Sequence, residues 1–246
     1  MDDKGAILKS DLMEHKFVSK LIVDIFNFYS NQKVDSPTYK YCKNVQHRLT
    51  KVKSTLETLQ LIRLLIAEKH PSISTTNNEV IDRETILNYH VENYFTRLNS
   101  YKPDIICFIA AVHEWKIADE SSVNASAQLL EMATRAGITG IADIIATIDK
   151  VLELATPAKS DITESTGMSA ADISLIESVK EAENLIKHSL AANDNYEDDK
   201  NEYYTTSVAS NLDEMTNIEA TMYANFISVL DSFYETYAAK VPDTVE

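Results

Sequence analysis

Glycine is nearly missing from this chain, with four residues in 246, where average usage of about 7% would give roughly 17. Glycine supplies the positive φ angles of tight hairpins and the close backbone approach of phosphate-cradling loops. Its scarcity argues against a β-sandwich, a β-barrel or a Rossmann-type nucleotide site. Neither G-x-x-x-x-G-K, G-x-G-x-x-G nor G-x-S-x-G occurs, so no phosphate loop or nucleophile elbow is expected. Cysteine is equally scarce. Cys42 and Cys107 alone make neither a disulfide framework nor a paired-cysteine zinc site. His113-Glu114 does not extend to H-E-x-x-H, and no Glu-x-x-His pair occurs. The acidic run from Asp194 to Asp199 lacks the glycine and terminal glutamate spacing of an EF-hand. No metal and no cofactor are expected.

Long apolar runs are also absent. The stretch Ile105–Val112 falls well short of the roughly 20 residues that span a bilayer, and the opening MDDKGAILKSDLMEHK is too polar for a secretory signal. The expected setting is cytoplasmic, with no membrane partner. Positive charge is the minority sign: 23 Lys and Arg face 38 Asp and Glu, a formal charge of −15. Such a surface repels polyanions. What basic charge there is comes early, at Lys40, Lys43, Arg48, Lys51, Lys53 and Arg63, whereas the last third is strongly acidic.

What the chain does carry is helical periodicity. Residues 11–29 place Val18, Leu21, Ile22, Ile25 and Tyr29 on one face, and Ser36-Pro37 breaks that helix. Residues 39–69 carry Val45, Leu49, Val52, Leu56 and Leu59 in alternating steps of four and three, interrupted at Arg63 and resumed at Ile66. This seam reads as the core line of a bundle helix. Residues 71–81 read as a loop. A helix over 83–102 follows, and Pro103 suits the first turn of another, over 104–118. Helices are further expected over 122–136, closed by Gly137, then 140–155, stopped by Pro157, then 170–192 and 211–240, with residues 158–168 as a linker. The fold class is all-α: a bundle of about eight helices with no significant sheet. The chain reads as a single helical domain over 1–246, with a subdivision left open into a 1–157 core bundle and a 169–240 helical pair joined by an acidic loop.

One helix concentrates chemistry. Between Asp82 and Asp104 lie His90, Glu92, Asn93, Arg97 and Asn99, and the spacing puts Arg83, His90, Asn93 and Arg97 on one face beside Tyr94 and Tyr101. Arginine can hold a phosphate and histidine can move a proton. These groups can equally satisfy one another and nearby carboxylates.

The stretch YHVENYFTRLNSYKPDIICFIAAV, residues 89–112, resembles a helix pair in all-helical prokaryotic members of the HEPN superfamily. Many of those proteins are metal-independent RNases of defence and toxin–antitoxin systems that work as dimers, with an Arg-to-His active-site motif. Arg63…His70 and Arg83…His90 have that spacing. Neither Arg is followed by Asn, Asp or His, since Leu64 and Glu84 stand there, so the resemblance implies a degenerate member. For an active one it implies His90 as proton-transfer group and Arg83 or Arg97 as phosphate-stabilising groups. Independently of it, Glu92, Asn93, Tyr94, Asn99 and Tyr101 are read as binding residues.

Three functions follow as expectations. The first is a non-enzymatic helical interaction protein with a protein partner or a second copy of itself, for which the 12 tyrosines suit contact surfaces. The second is a metal-independent HEPN-type RNase, with RNA as its partner. The third is a small-molecule-binding bundle in which Trp115, Tyr94, Tyr101 and Phe108 line a pocket.

Overall fold

The computed structural model describes residues 12–67, 73–74, 80–81, 83–118, 124–165 and 196–242. The protein is all-α. Among the described residues lie helices α1 (Lys16–Ser30), α2 (Pro37–Ala67), α3 (Arg83–His113), α4 (Ala125–Ala136), α5 (Ile141–Ser165) and α6 (Tyr196–Lys240). The single extended pairing there is a two-residue antiparallel ladder, Ile73↔Ile81 and Ser74↔Val80, inside the segment read as loop. The helix expected over 170–192 lies outside the described residues.

The chain divides into two compact units. One comprises Met1–Gln60, Arg97–Leu152 and Glu219–Glu246; the other comprises Leu61–Thr96 and Glu153–Ile218. In the first, the apolar stretch of α3 is buried all round, from Ile105 to Val112, as a central helix must be. Phe108 packs edge-on against Phe17 of α1 and Phe226 of α6, with centroids 5.6 Å and 6.1 Å away. Tyr41 of α2 donates to the Val112 carbonyl at 2.9 Å, and Thr55 of α2 donates to Asp104 at 2.7 Å. In the second unit Tyr94 is fully buried and donates to the Met215 carbonyl at 3.4 Å.

Local chemistry explains the helix ends. Ser36 caps α2 by accepting from the Tyr39 N–H at 3.1 Å, and Pro37 occupies the first turn, where its missing N–H is no loss. Gly137 closes α4 at φ 69°, the left-handed position its sequence context predicts. Helix α3 closes differently. Glu114 takes φ 62° without being glycine, and the Trp115 N–H reaches the Ala110 carbonyl at 2.8 Å while the Glu114 N–H reaches Ala111 at 3.1 Å. That is a Schellman closure.

The α2 seam is buried throughout at Val45, Leu49, Val52, Leu56 and Leu59, and it continues through Ile62 to Ile66. The step after Leu59 shortens to three, so Arg63 falls off the line and stays half-buried.

Three expectations are corrected. The break at Pro103 does not occur: α3 runs through it. The buried row Val91, Tyr94, Leu98, Tyr101, Ile105, Phe108 and Val112 keeps its three–four stepping across the proline, and that burial outweighs the lost hydrogen bond. Helix α5 likewise passes Pro157 and reaches Ser165, taking in most of the expected linker. On α1 the buried face is Phe17, Val18, Leu21 and Asp24, with Ile25 only half-buried, while Ile22 and Tyr29 are exposed.

Candidate functional site

Arg83 begins α3, and its side chain lies outside the described ones. His90 is half-buried, with its ring edge-on to exposed Tyr89 at 5.5 Å. Glu92, Arg97 and Asn99 are exposed and Asn93 is half-buried. Tyr94 and Tyr101 of this helix are core residues. The Tyr94 hydroxyl binds the Met215 carbonyl, and Tyr101 donates to the Met222 carbonyl at 2.7 Å and lies 3.1 Å from Asn225 Oδ1. Burial pushes the Tyr101 phenol far above its ordinary range. Among the described residues no group of three His, Cys, Asp or Glu is placed to hold a metal ion, and no helix is long and apolar enough to cross a membrane.

Two constellations that sequence reasoning missed lie elsewhere in the first unit. The first is a small pocket of about 40 Å³ lined by Asn44 and Arg48 of α2, Cys107, Ala110 and Ala111 of α3, and Trp115 and Ile117 just beyond it. Its volume suits about three waters or one small polar group. Asn44 and Arg48 are four apart and therefore neighbours on one helix face. Alanine at 110 and 111 leaves the space that larger side chains would fill. Trp115 lines this pocket too, and its indole stacks on His113, centroids 4.4 Å apart and 17° from parallel.

His113 closes the far side of that stack against Phe233, with centroids 5.3 Å apart. Its Nε2 is buried with no hydrogen-bond partner among the described residues. A histidine at a helix C-terminus is ordinarily favoured in its charged form. Here burial, and then the Lys240 ammonium, push it down from 6.5 to about 4. The unfolded chain therefore takes up this proton below about pH 6.5, whereas the folded chain holds out until about pH 4. Stability is present in full above 6.5 and is lost as pH falls toward 4. Discounted for the ring's partial exposure, the loss is about 1–2 kcal/mol. Urea denaturation of the protein and of His113→Phe, each at neutral pH and near pH 4.5, should show the variant losing that share of the pH dependence. Identical slopes would rule out His113 as its source.

The second constellation is a buried polar cluster. Asp24, 7% exposed, accepts from Lys20 Nζ at 3.4 Å and from the Tyr237 hydroxyl at 3.0 Å. That hydroxyl also lies 3.4 Å from Cys42 Sγ. Burial pushes the Cys42 thiol up, so it is a packed, unreactive thiol rather than a nucleophile. Every polar atom named in this cluster is engaged, so its role is structural.

No protein-family model matches this chain, and no curated protein or solved structure matches it.

Proposed function

We propose that this chain is a non-enzymatic helical interaction protein that works through protein–protein contacts, with a separate partner or a second copy. Its HEPN resemblance is that of a degenerate member of a prokaryotic defence or toxin–antitoxin system. One observation carries the reading. Helix α1 leaves Ile22, Val23, Phe26 and Tyr29 exposed by 44%, 54%, 66% and 70%. Spacings of three, four and seven put them on one face of the helix. Single exposed apolar residues are ordinary, but a contiguous row of four marks a contact surface. Aromatic residues are also the type enriched where partners meet.

Phe26→Glu tests this directly. At so exposed a position the change should alter stability by no more than about 0.5 kcal/mol, while capture of a partner, or self-association read by sedimentation, should fall by about tenfold or more. Unchanged capture and unchanged association would sink the reading. A parallel RNA-cleavage assay without metal, comparing the protein with His90→Ala and Arg97→Ala, should show no activity in any of the three. Cleavage that disappears in either variant would put the RNase reading in its place.

A further inference from the structure

A second surface of the first unit has the opposite character. From Pro37 to Leu56 the sequence contains no Asp or Glu, and the helix orders the positive charge that it does contain. Lys40, Lys43, His47 and Lys51 are all exposed on α2, and at 100° per residue they fall within an arc of about 80°. Their steps of three, four and four make a strip about 17 Å long on the helix axis. Lys43 hydrogen-bonds Gln46 at 2.6 Å, which leaves its charge in place. Among the described residues no carboxylate pairs with any of the four. Lys53, Lys102 and Lys240 of the same unit, by contrast, pair with Glu57, Asp149 and Glu114. In a chain of net charge −15 an unanswered strip of cations is unexpected, since surplus acid should neutralise it. The side chains exposed beside it, Asn44, Thr50 and Ser54, are neither charged nor apolar, so charge is what this surface offers.

We propose that this strip docks an acidic helix of a protein partner, laid along α2 with carboxylates in matching steps of three and four opposite Lys40, Lys43, His47 and Lys51. This inference rests on the interaction reading above and assigns it a second contact. The repeat of the strip decides between occupants. Two helices share one rise per residue, so carboxylates three or four apart stay opposite the cations along its whole length, as the charged flanks of a coiled coil do. An extended chain advances about 6.7 Å for each pair of residues, against about 6 Å for four residues of helix, and slips out of register with length. A folded helix also presents its carboxylates already ordered, which matters where no pocket adds affinity. A nucleic-acid strand draws its affinity from neutralising many phosphates, and beyond so short a strip it would run onto a surface of its own sign.

The experiment titrates the full chain with a fluorescein-labelled, side-chain-stapled alanine helix whose glutamates recur in steps of three, four and four, and reads the anisotropy of the peptide. A second stapled helix of identical composition carries its glutamates scattered around the circumference, and hexauridylate is the nucleic-acid control. The striped helix should bind about tenfold more tightly than the scattered one, and raising salt from about 0.05 M to 0.5 M should weaken its binding by roughly tenfold. Lys43→Gln/Lys51→Gln, at two exposed positions, should melt as the parent does and bind the striped helix about tenfold more weakly. Arg135→Gln/Lys150→Gln removes the same charge from exposed positions on α4 and α5, and it should bind as the parent does. The proposal falls if the striped helix does not bind, or if it binds no better than the scattered one. It falls equally if Lys43→Gln/Lys51→Gln loses no more affinity than Arg135→Gln/Lys150→Gln, or if hexauridylate binds more tightly than the striped helix. Failure here with capture still lost in Phe26→Glu removes this site and leaves the interaction reading standing, because the two tests probe different helices.

Discussion

Asp24→Leu should destabilise the protein by about 3–5 kcal/mol, one of the largest losses expected of any single substitution in it. The replacement is apolar and of similar size, so the change removes charge rather than volume. It removes the carboxylate that Lys20 Nζ, on a side chain 11% exposed, pairs with at 3.4 Å, and it takes the acceptor from the Tyr237 hydroxyl. Breaking a buried pair by removing one partner is costly, whereas replacing both by apolar groups is often close to neutral. Lys20→Met/Asp24→Leu should therefore recover most of the loss, and Tyr237→Phe alone should cost only about 1–3 kcal/mol. Denaturant midpoints for the four proteins check this. A double variant no better than Asp24→Leu would show that lost packing, not the broken ion pair, is responsible.

Phe108→Ala should cost about 3–5 kcal/mol, by the transfer free energy of the ring and the cavity it leaves. Phe108 is fully buried, and its edge-on partners Phe17 and Phe226 come from two other helices, so neither can move in without disturbing its own packing. The midpoint should drop without a change in denaturant slope. Phe26→Ala, at a ring 66% exposed, is the matched control and should change stability by no more than about 0.5 kcal/mol. Comparable losses in the two would contradict the burial pattern described here.

The helix class was legible because the seam from Val45 to Leu59 repeats in steps that only a helix keeps on one side. The face of α1 was not. Between Phe17 and Tyr29 apolar residues cover well over half the circumference, so periodicity alone cannot choose among faces, and the buried one includes Asp24, which hydropathy assigns to solvent. Asp24 can sit there because Lys20, one turn earlier, and Tyr237, far along the chain, both reach it. Pro103 and Pro157 misled for a related reason. A proline's local penalty is visible in sequence, while the tertiary burial that outweighs it at Pro103 is not. The Asn44–Arg48 spacing was visible, but not its pairing with Trp115, which only the packing of α2 on α3 brings close. Tyr94 and Tyr101 looked available for binding because their partners, the carbonyls of Met215 and Met222, belong to backbone more than a hundred residues away.

The Tyr237–Asp24 hydrogen bond joins residues 213 apart in sequence, and this sets an order on biosynthesis. A ribosome releases α1 long before α6 exists. Through nearly the whole of translation Asp24 and Lys20 have no phenol to complete their cluster, and Phe17 and Phe108 lack the aromatic rings that α6 supplies. Contacts this distant along the chain also slow folding, because the loop they close must be ordered before they repay it. The first unit therefore cannot mature as it emerges. It waits, with apolar surface uncovered, for its last helix, and over that interval it depends on whatever shields nascent chains from aggregation.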